Sequence, residues 1–229
     1  MKKRAYVTVQ EDVTDLRSEP TKEPFITNGH DRRRESQVLR GTCLHVVREQ
    51  DGWVEVEVPY QRVGTNLHPY RGWVYAGHLQ SVSRCCCINP VETGDRQDLI
   101  QRAESYLGIP YLWGGMGCEG IDCSGLVYQA YLAAGMLLPR NAGDQYRAGK
   151  VIERPQRGDL VFIGMPICHV LIWDGKDLIE ATDKERSVVR SISFQERFGV
   201  DLEASYDGME CKGEKIFFRR LLPPAASPA

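Results

Sequence analysis

The chain has almost no net charge, with 29 Lys and Arg against 31 Asp and Glu and a formal balance of −2. A surface that even carries no electrostatic footprint for nucleic acid, so a polyanionic partner is not expected. No apolar run reaches the length of a membrane span. The basic start, Met1-Lys2-Lys3-Arg4, turns acidic at Glu11-Asp12 before a signal-peptide apolar region can form. The expectation is therefore a soluble chain, cytoplasmic by default, and periplasmic or extracellular if a leader has been removed. Eight cysteines are present but no Cys-x-x-Cys pair. A chain of 229 residues buries an adequate core without staples, so neither a disulfide framework nor a metal site is expected. Three of the cysteines fall in one run, Cys85-Cys86-Cys87, which reads as reduced linker sequence. Internal repeats are absent, and no cofactor motif occurs.

What is present falls into two parts. Residues 5–83 show no helical periodicity. Trp53-Val54-Glu55-Val56-Glu57-Val58 alternates strictly, as a half-buried strand with its acidic residues outward. Asp51-Gly52 before it signals a tight turn, and residues 37–47 and Gly72-Trp73-Val74-Tyr75 supply further strands. A small all-β barrel follows, with Trp53 and Trp73 in its core and Tyr75 at the border of a cleft or on plain surface. Residues 84–94, with Asn89-Pro90 and Thr93-Gly94, read as a linker.

The second part, residues 95–222, opens with helical spacing. Leu99, Ile100, Ala103, Tyr106 and Leu107 recur at that period after Asp95, and Gly108 and Pro110 stop the helix. A glycine-rich stretch from Tyr111 then runs through Asp122-Cys123-Ser124-Gly125 into a second apolar-periodic run, Leu126, Val127, Ala130, Tyr131 and Ala134. That pattern delivers Cys123 to the first turn of a helix, where unpaired N–H groups and the positive end of the dipole favour a thiolate. Strands follow at residues 158–163, at His169-Val170-Leu171-Ile172-Trp173, and, across an Asp174-Gly175 hairpin turn, at Leu178-Ile179-Glu180-Ala181. Residues 187–192 and 215–221 add two more, which makes the second part α+β. Residues 223–229 read as a disordered tail.

A thiolate nucleophile needs a base and a third group to orient that base. Of five histidines, four lie in the first part, which leaves His169 to the second. A histidine at a strand start is more often structural. As the one histidine in a part that holds an activated cysteine, it becomes the favoured base, and Glu180 faces it across the hairpin. Cys118 and Cys168 read as buried small hydrophobes, with oxidative pairing to Cys123 as the alternative.

The blocks Asp122-Cys123-Ser124-Gly125-Leu126-Val127, Leu138-Pro139-Arg140-Asn141-Ala142-Gly143-Asp144-Gln145, Gly158-Asp159-Leu160-Val161-Phe162 and the His169 strand together resemble the NlpC-type cysteine peptidases, the NlpC/p60 superfamily. The order of the earlier pieces, Asp15-Leu16-Arg17-Ser18-Glu19-Pro20, Leu39-Arg40-Gly41, Asp51-Gly52-Trp53 and Gly72-Trp73-Val74, resembles the bacterial SH3-like domain. The resemblance implies a papain-like core, with a Cys-bearing helix packed on an antiparallel sheet. It also implies cleavage of bacterial cell-wall stem peptides, typically between the γ-carboxyl of D-glutamate and a diamino acid, by a monomer. It assigns Cys123 as nucleophile, His169 as base and Tyr111 to the oxyanion. Asp122, Ser124, Trp113, Arg140, Asn141 and Tyr75 become substrate contacts. Glu180 stands where the family usually has His, Asn or Gln. Asn141-Ala142 stands where relatives that require a free L-Ala amine have Asp-Ser, so a broader preference is expected. The alternatives are a catalytically degenerate wall-binding protein and an amidase or acyltransferase of the same fold.

Overall fold

A computed structural model of the chain describes residues 5–64, 66–83, 95–184, 187–202 and 207–221. The linker expected at 84–94, with its cysteine run, and the tail expected at 223–229 lie outside the described residues. Two units emerge, one formed by Met1–Asn89 with Pro110–Asp122, the other by Pro90–Ile109 with Cys123–Ala229.

The first unit begins with nine strands: β1 (Tyr6–Val9), β2 (Val13–Arg17), β3 (Ile26–Thr27), β4 (His30–Asp31), β5 (Arg34–Leu39), β6 (Cys43–Gln50), β7 (Trp53–Val63), β8 (His68–Tyr75) and β9 (Leu79–Val82). Seven of them form one antiparallel sheet in the order β5-β2-β8-β7-β6-β1-β9, and β3 and β4 pair as a separate hairpin. Leu16, Val38, Leu44, Val56, Val58 and Val74 form its core. Three sequence expectations need correction here. The stretch 37–47 is two strands, because Gly41 turns the chain at φ +78° and a positive φ cannot continue an extended run. Glu55 is buried rather than outward, since Arg48 and Arg71 from the two neighbouring strands both donate to its carboxylate. Cys43 is disulfide-bonded, where no bridge was expected.

The glycine-rich segment completes this unit with a short hairpin, β10 (Met116–Gly117) and β11 (Gly120–Ile121). Its glycines are required by close packing. A Cβ on Gly115 would lie 2.5 Å from the Gly120 carbonyl oxygen, and one on Gly120 would lie 2.5 Å from Leu112 Cβ. The Met116 N–H donates to Gln37 Oε1 at 3.1 Å, which ties the hairpin to β5.

The second unit contains α1 (Arg96–Glu104), α2 (Cys123–Ala133), α3 (Ala142–Ala148) and α4 (Phe194–Phe198). Its strands are β12 (Lys150–Val151), β13 (Leu160–Ile163), β14 (His169–Trp173), β15 (Leu178–Ala181), β16 (Val189–Ile192), β17 (Met209–Cys211) and β18 (Glu214–Arg220). They form an antiparallel sheet in the order β12-β18-β13-β14-β15-β16, with β17 on β18. Asp95 caps α1 as expected, accepting from the Gln97 N–H at 2.7 Å. That helix ends at Glu104, and Tyr106 and Leu107 fall in the turn behind it. On α2 every residue from Cys123 to Tyr131 is buried, so the helix is enclosed on all sides. It packs on α1, β14 and β15. Tyr131 donates its hydroxyl to the Gly158 carbonyl at 2.6 Å, which ties α2 to the start of β13. Phe194 and Phe198 of α4 join Val161, Leu171, Ile216 and Phe218 in one apolar cluster.

Candidate active site

Cys123 is the first residue of α2 and is a free, buried thiol. Its location follows from local sequence: the apolar run fixes α2 against the sheet, and Asp122 ends the segment that precedes it. The Asp122 carboxylate accepts from the Gly114 N–H at 2.9 Å and closes the glycine loop on itself.

His169 opens β14, within electrostatic reach of the Cys123 sulfur. Its Nε2 lies 3.0 Å from Glu180 Oε2. Strand register explains that contact. Ile172 pairs with Ile179, so Glu180 shares a face with Leu171 and, two residues back, with His169. Glu180 is only 1% exposed, and it is not alone with the imidazole. Arg190, directly opposite it on β16, donates from Nε and Nη2 to Oε1 at 2.9 and 2.8 Å. Arg197 of α4 approaches Oε2 at 3.5 Å and bonds Glu214 at 2.8 Å through Nη1.

These contacts set the charges. Burial works against a protonated His169, but the Cys123 sulfur and the Glu180 carboxylate outweigh it and raise its pKa to about 9. Burial likewise opposes the Glu180 charge, and His169, Arg190 and Arg197 overcome it and lower its pKa to about 2. At neutral pH the arrangement holds an imidazolium between a sulfur nucleophile and a carboxylate. Those are the parts of a cysteine acyl-transfer centre.

The other candidate residues divide between the units. Ser124 and Arg140 are buried and bonded to one another, Nη1 to Oγ at 2.9 Å, and Arg140 is only 1% exposed. In that position they brace the first turn of α2. Asn141 is exposed at the start of α3, and its side chain makes no capping bond. Tyr111, Trp113, Asp122 and Tyr75 belong to the first unit. Trp113 is flanked there by His30, ring to ring at 5.6 Å, and by the Arg32 guanidinium at 4.0 Å. Tyr75 lines a separate cavity of that unit. Cys118 and Cys168 are exposed rather than buried, and Cys168 lies near enough to feel the charge of Cys123, although desolvation is the larger cause of its raised pKa. A cavity of about 620 Å³ in the second unit is lined by Thr182, Lys184, Val189, Arg190 and Glu196 among others, and by neither Cys123 nor His169. Among the described residues no group of three or more His, Cys, Asp or Glu is placed to hold a metal. No described helix is long and apolar enough to cross a membrane.

Residues 108–200, which include Cys123, His169 and Glu180, match the NlpC/P60 family. The chain carries an NlpC/P60 family domain. That domain is 45% identical over 73 residues to the gamma-D-glutamyl-L-lysine dipeptidyl-peptidase of Bacillus subtilis (strain 168), across 31% of this chain and 25% of that protein. It is 42% identical over 81 residues to peptidoglycan endopeptidase RipB of Mycobacterium tuberculosis, across 29% of this chain and 34% of that protein. The chain thus spans between a quarter and about a third of the length of these curated relatives. In fold, an NlpC/P60 family protein from Bacillus cereus aligns with 95% of this chain and all of its own at a TM-score of 0.74 and 21% identity.

Sequence reasoning missed the two arginines on Glu180 and the His30 and Arg32 side chains beside Trp113. Arg190 had a usable signal, since a strand returning after Glu180 must place some residue opposite it. Arg197, His30 and Arg32 had none.

Proposed function

We propose that the NlpC/P60 domain is a cysteine endopeptidase of peptidoglycan stem peptides, cleaving the bond between the γ-carboxyl of D-glutamate and a diamino acid. The observation that carries this reading is Cys123 at the head of α2 within electrostatic reach of His169, whose imidazole is hydrogen-bonded to Glu180. The relatives named as a γ-D-glutamyl-L-lysine dipeptidyl-peptidase and as a peptidoglycan endopeptidase support the substrate class.

In the proposed reaction the Cys123 thiolate attacks the γ-glutamyl carbonyl and a C–S bond forms. The oxyanion forms at the N-terminal end of α2, where the helix dipole favours negative charge. The C–N bond then breaks, and the departing amine takes the proton of the His169 imidazolium. Neutral His169 next removes a proton from water, which attacks the thioester; the C–S bond breaks, the acid leaves, and the thiolate beside an imidazolium is restored. Glu180, fixed by Arg190, holds the imidazole in place throughout. The same intact constellation speaks against a catalytically degenerate wall-binding protein.

Three accompanying readings are proposed with it. The short strands of the first unit and its 3-10 turn Ala76–His78 just before β9 support an SH3-like module. The oxidised Cys43 supports a location outside the reducing cytoplasm. Asn141, which offers no carboxylate to pair with an amine, supports acceptance of substrates without a free N-terminus.

Mass spectrometry of stem tri- and tetrapeptides incubated with the wild type and with Cys123→Ala tests the central claim. The wild type is expected to release the diamino-acid fragment and the variant to release none. Absence of cleavage by the wild type, or equal cleavage by both, overturns it.

A further inference from the structure

The first unit contains a cavity of about 280 Å³ that the proposed chemistry does not use. One wall is aromatic: Trp53 and Tyr75 meet edge to face at 5.6 Å, and Tyr75 meets His78 at 5.3 Å. The rest is built from Thr14, Asp15, Arg17, Lys22 and His78. Its hydrogen-bonding groups are out of balance, with donors in excess.

Three nitrogens around the cavity lack protein acceptors among the described residues. Arg17 is buried, with Nη1 on Asp31 at 3.0 Å and on Asp15 at 3.3 Å, and Nη2 on the Glu23 carbonyl at 3.0 Å. Its Nε is buried without any partner. The Lys22 ammonium stands 3.8 Å from the Tyr75 ring centroid and makes no ion pair with a described carboxylate. At His78, Nδ1 is taken by the Thr14 hydroxyl at 2.7 Å. Its Nε2 has no partner among the described residues. The one carboxylate of the cavity is already spent: Asp15 Oδ1 accepts from Arg34 at 2.9 Å and from Gln37 at 3.1 Å, and Oδ2 accepts from Arg17.

Of the three only the Arg17 Nε is buried, where a donor without an acceptor is costly, while Lys22 is exposed and His78 half-buried. Two cationic side chains and an imidazole beside an aromatic wall, with the one carboxylate already paired, suit a ligand that brings oxygen anions and a small apolar group. We infer that this cavity binds the terminal carboxylate of a peptide, with the last side chain lying against Trp53 and Tyr75. A bare inorganic anion leaves the aromatic wall unused, and the volume suits about one or two residues. The cavity argument stands apart from the peptidase reading. Only the choice of D-alanine probes rests on that reading.

Isothermal titration calorimetry on the full chain carrying Cys123→Ala tests it. The probes are N-acetyl-D-Ala-D-Ala, the same dipeptide as its C-terminal amide, N-acetyl-L-Ala-L-Ala and inorganic phosphate. The acid is expected to bind at least about ten-fold more tightly than the amide, as loss of a charge-assisted contact requires. Lys22→Met and His78→Gln, placed at the rim so that the fold survives, are each expected to weaken the acid several-fold without changing the amide. Equal affinity for acid and amide, unchanged affinity in both variants, or phosphate binding as tightly as the dipeptide overturns the inference. Equal binding of the D and L acids supports the carboxylate site while removing its link to cell-wall peptides.

Discussion

Replacing Glu180 with Gln isolates what its charge does at the site. The side chain keeps its length, and its carbonyl oxygen still accepts from His169 Nε2. The amide nitrogen, however, now faces the Arg190 Nε and Nη2 donors that lie 2.9 and 2.8 Å from Oε1. Breaking one side of a buried pair costs ~3–5 kcal/mol. Arg190 is 26% exposed and reaches water, and Arg197 keeps Glu214, so a loss at or below the lower end is expected, ~2–3 kcal/mol. The second effect falls on His169. A carboxylate at 4 Å contributes ~4 kcal/mol at an effective dielectric of about 20, and two arginines already offset most of it. A net fall of about one pKa unit, ~1.4 kcal/mol, remains for the imidazolium.

The sign is fixed by the direction of the shift. His169 is raised from 6.5 to about 9, so its ion pair contributes fully below pH 6.5 and is lost as pH rises through about 9. Wild-type activity, which needs the imidazolium proton for the departing amine, should therefore have an alkaline limb near 9, and Glu180→Gln should move that limb to lower pH. Urea denaturation reads the stability loss. Hydrolysis of a stem tripeptide across pH reads the limb. An unchanged denaturation midpoint together with an unmoved limb would refute the charge argument.

Glu180 also predicts an acid limit. Its pKa is lowered from 4.5 to about 2, so its contribution is complete above 4.5 and fades as pH falls through about 2, which stability measured by circular dichroism against pH will show. Gly120→Ala places a Cβ 2.5 Å from Leu112 Cβ, an atom that cannot swing away, and is expected to cost ~1–3 kcal/mol in thermal or urea unfolding. A variant as stable as the wild type would show that the hairpin relaxes freely. L-Ala-γ-D-Glu-diaminopimelate and its N-acetylated form should be hydrolysed at rates within about ten-fold of one another, because no carboxylate stands at Asn141 to hold the amine. A much larger preference for the free amine, read by liquid chromatography of the products, would assign amine recognition to other residues.

What was legible in the sequence was local. An enclosed helix shows itself in its own apolar spacing, so Cys123 at the head of α2 required no tertiary information. The Asp174-Gly175 turn fixed a short hairpin and so brought Glu180 round to His169, because alternation decides which residues of a paired strand share a face. Scarcity did the rest, since one histidine in the second part left a single choice of base. Residue identity also marked Glu180 as unusual, without showing why a full charge is tolerated there.

Only the tertiary structure decided that question. The charge is held because Arg190 arrives from β16 and Arg197 from α4, and such contacts depend on register and packing rather than on neighbours in the chain. The same holds for Glu55, which alternation turned outward and two cross-strand arginines cover. It holds for the glycine-rich segment, which in sequence leads into the nucleophile helix and in space belongs with the first unit. It holds also for Lys22 over Tyr75 and for the unpartnered Arg17 nitrogen. Sequence determined which groups this protein has available for chemistry. Tertiary packing determined their charges and partners, since those are set by whatever the fold brings within a few ångströms.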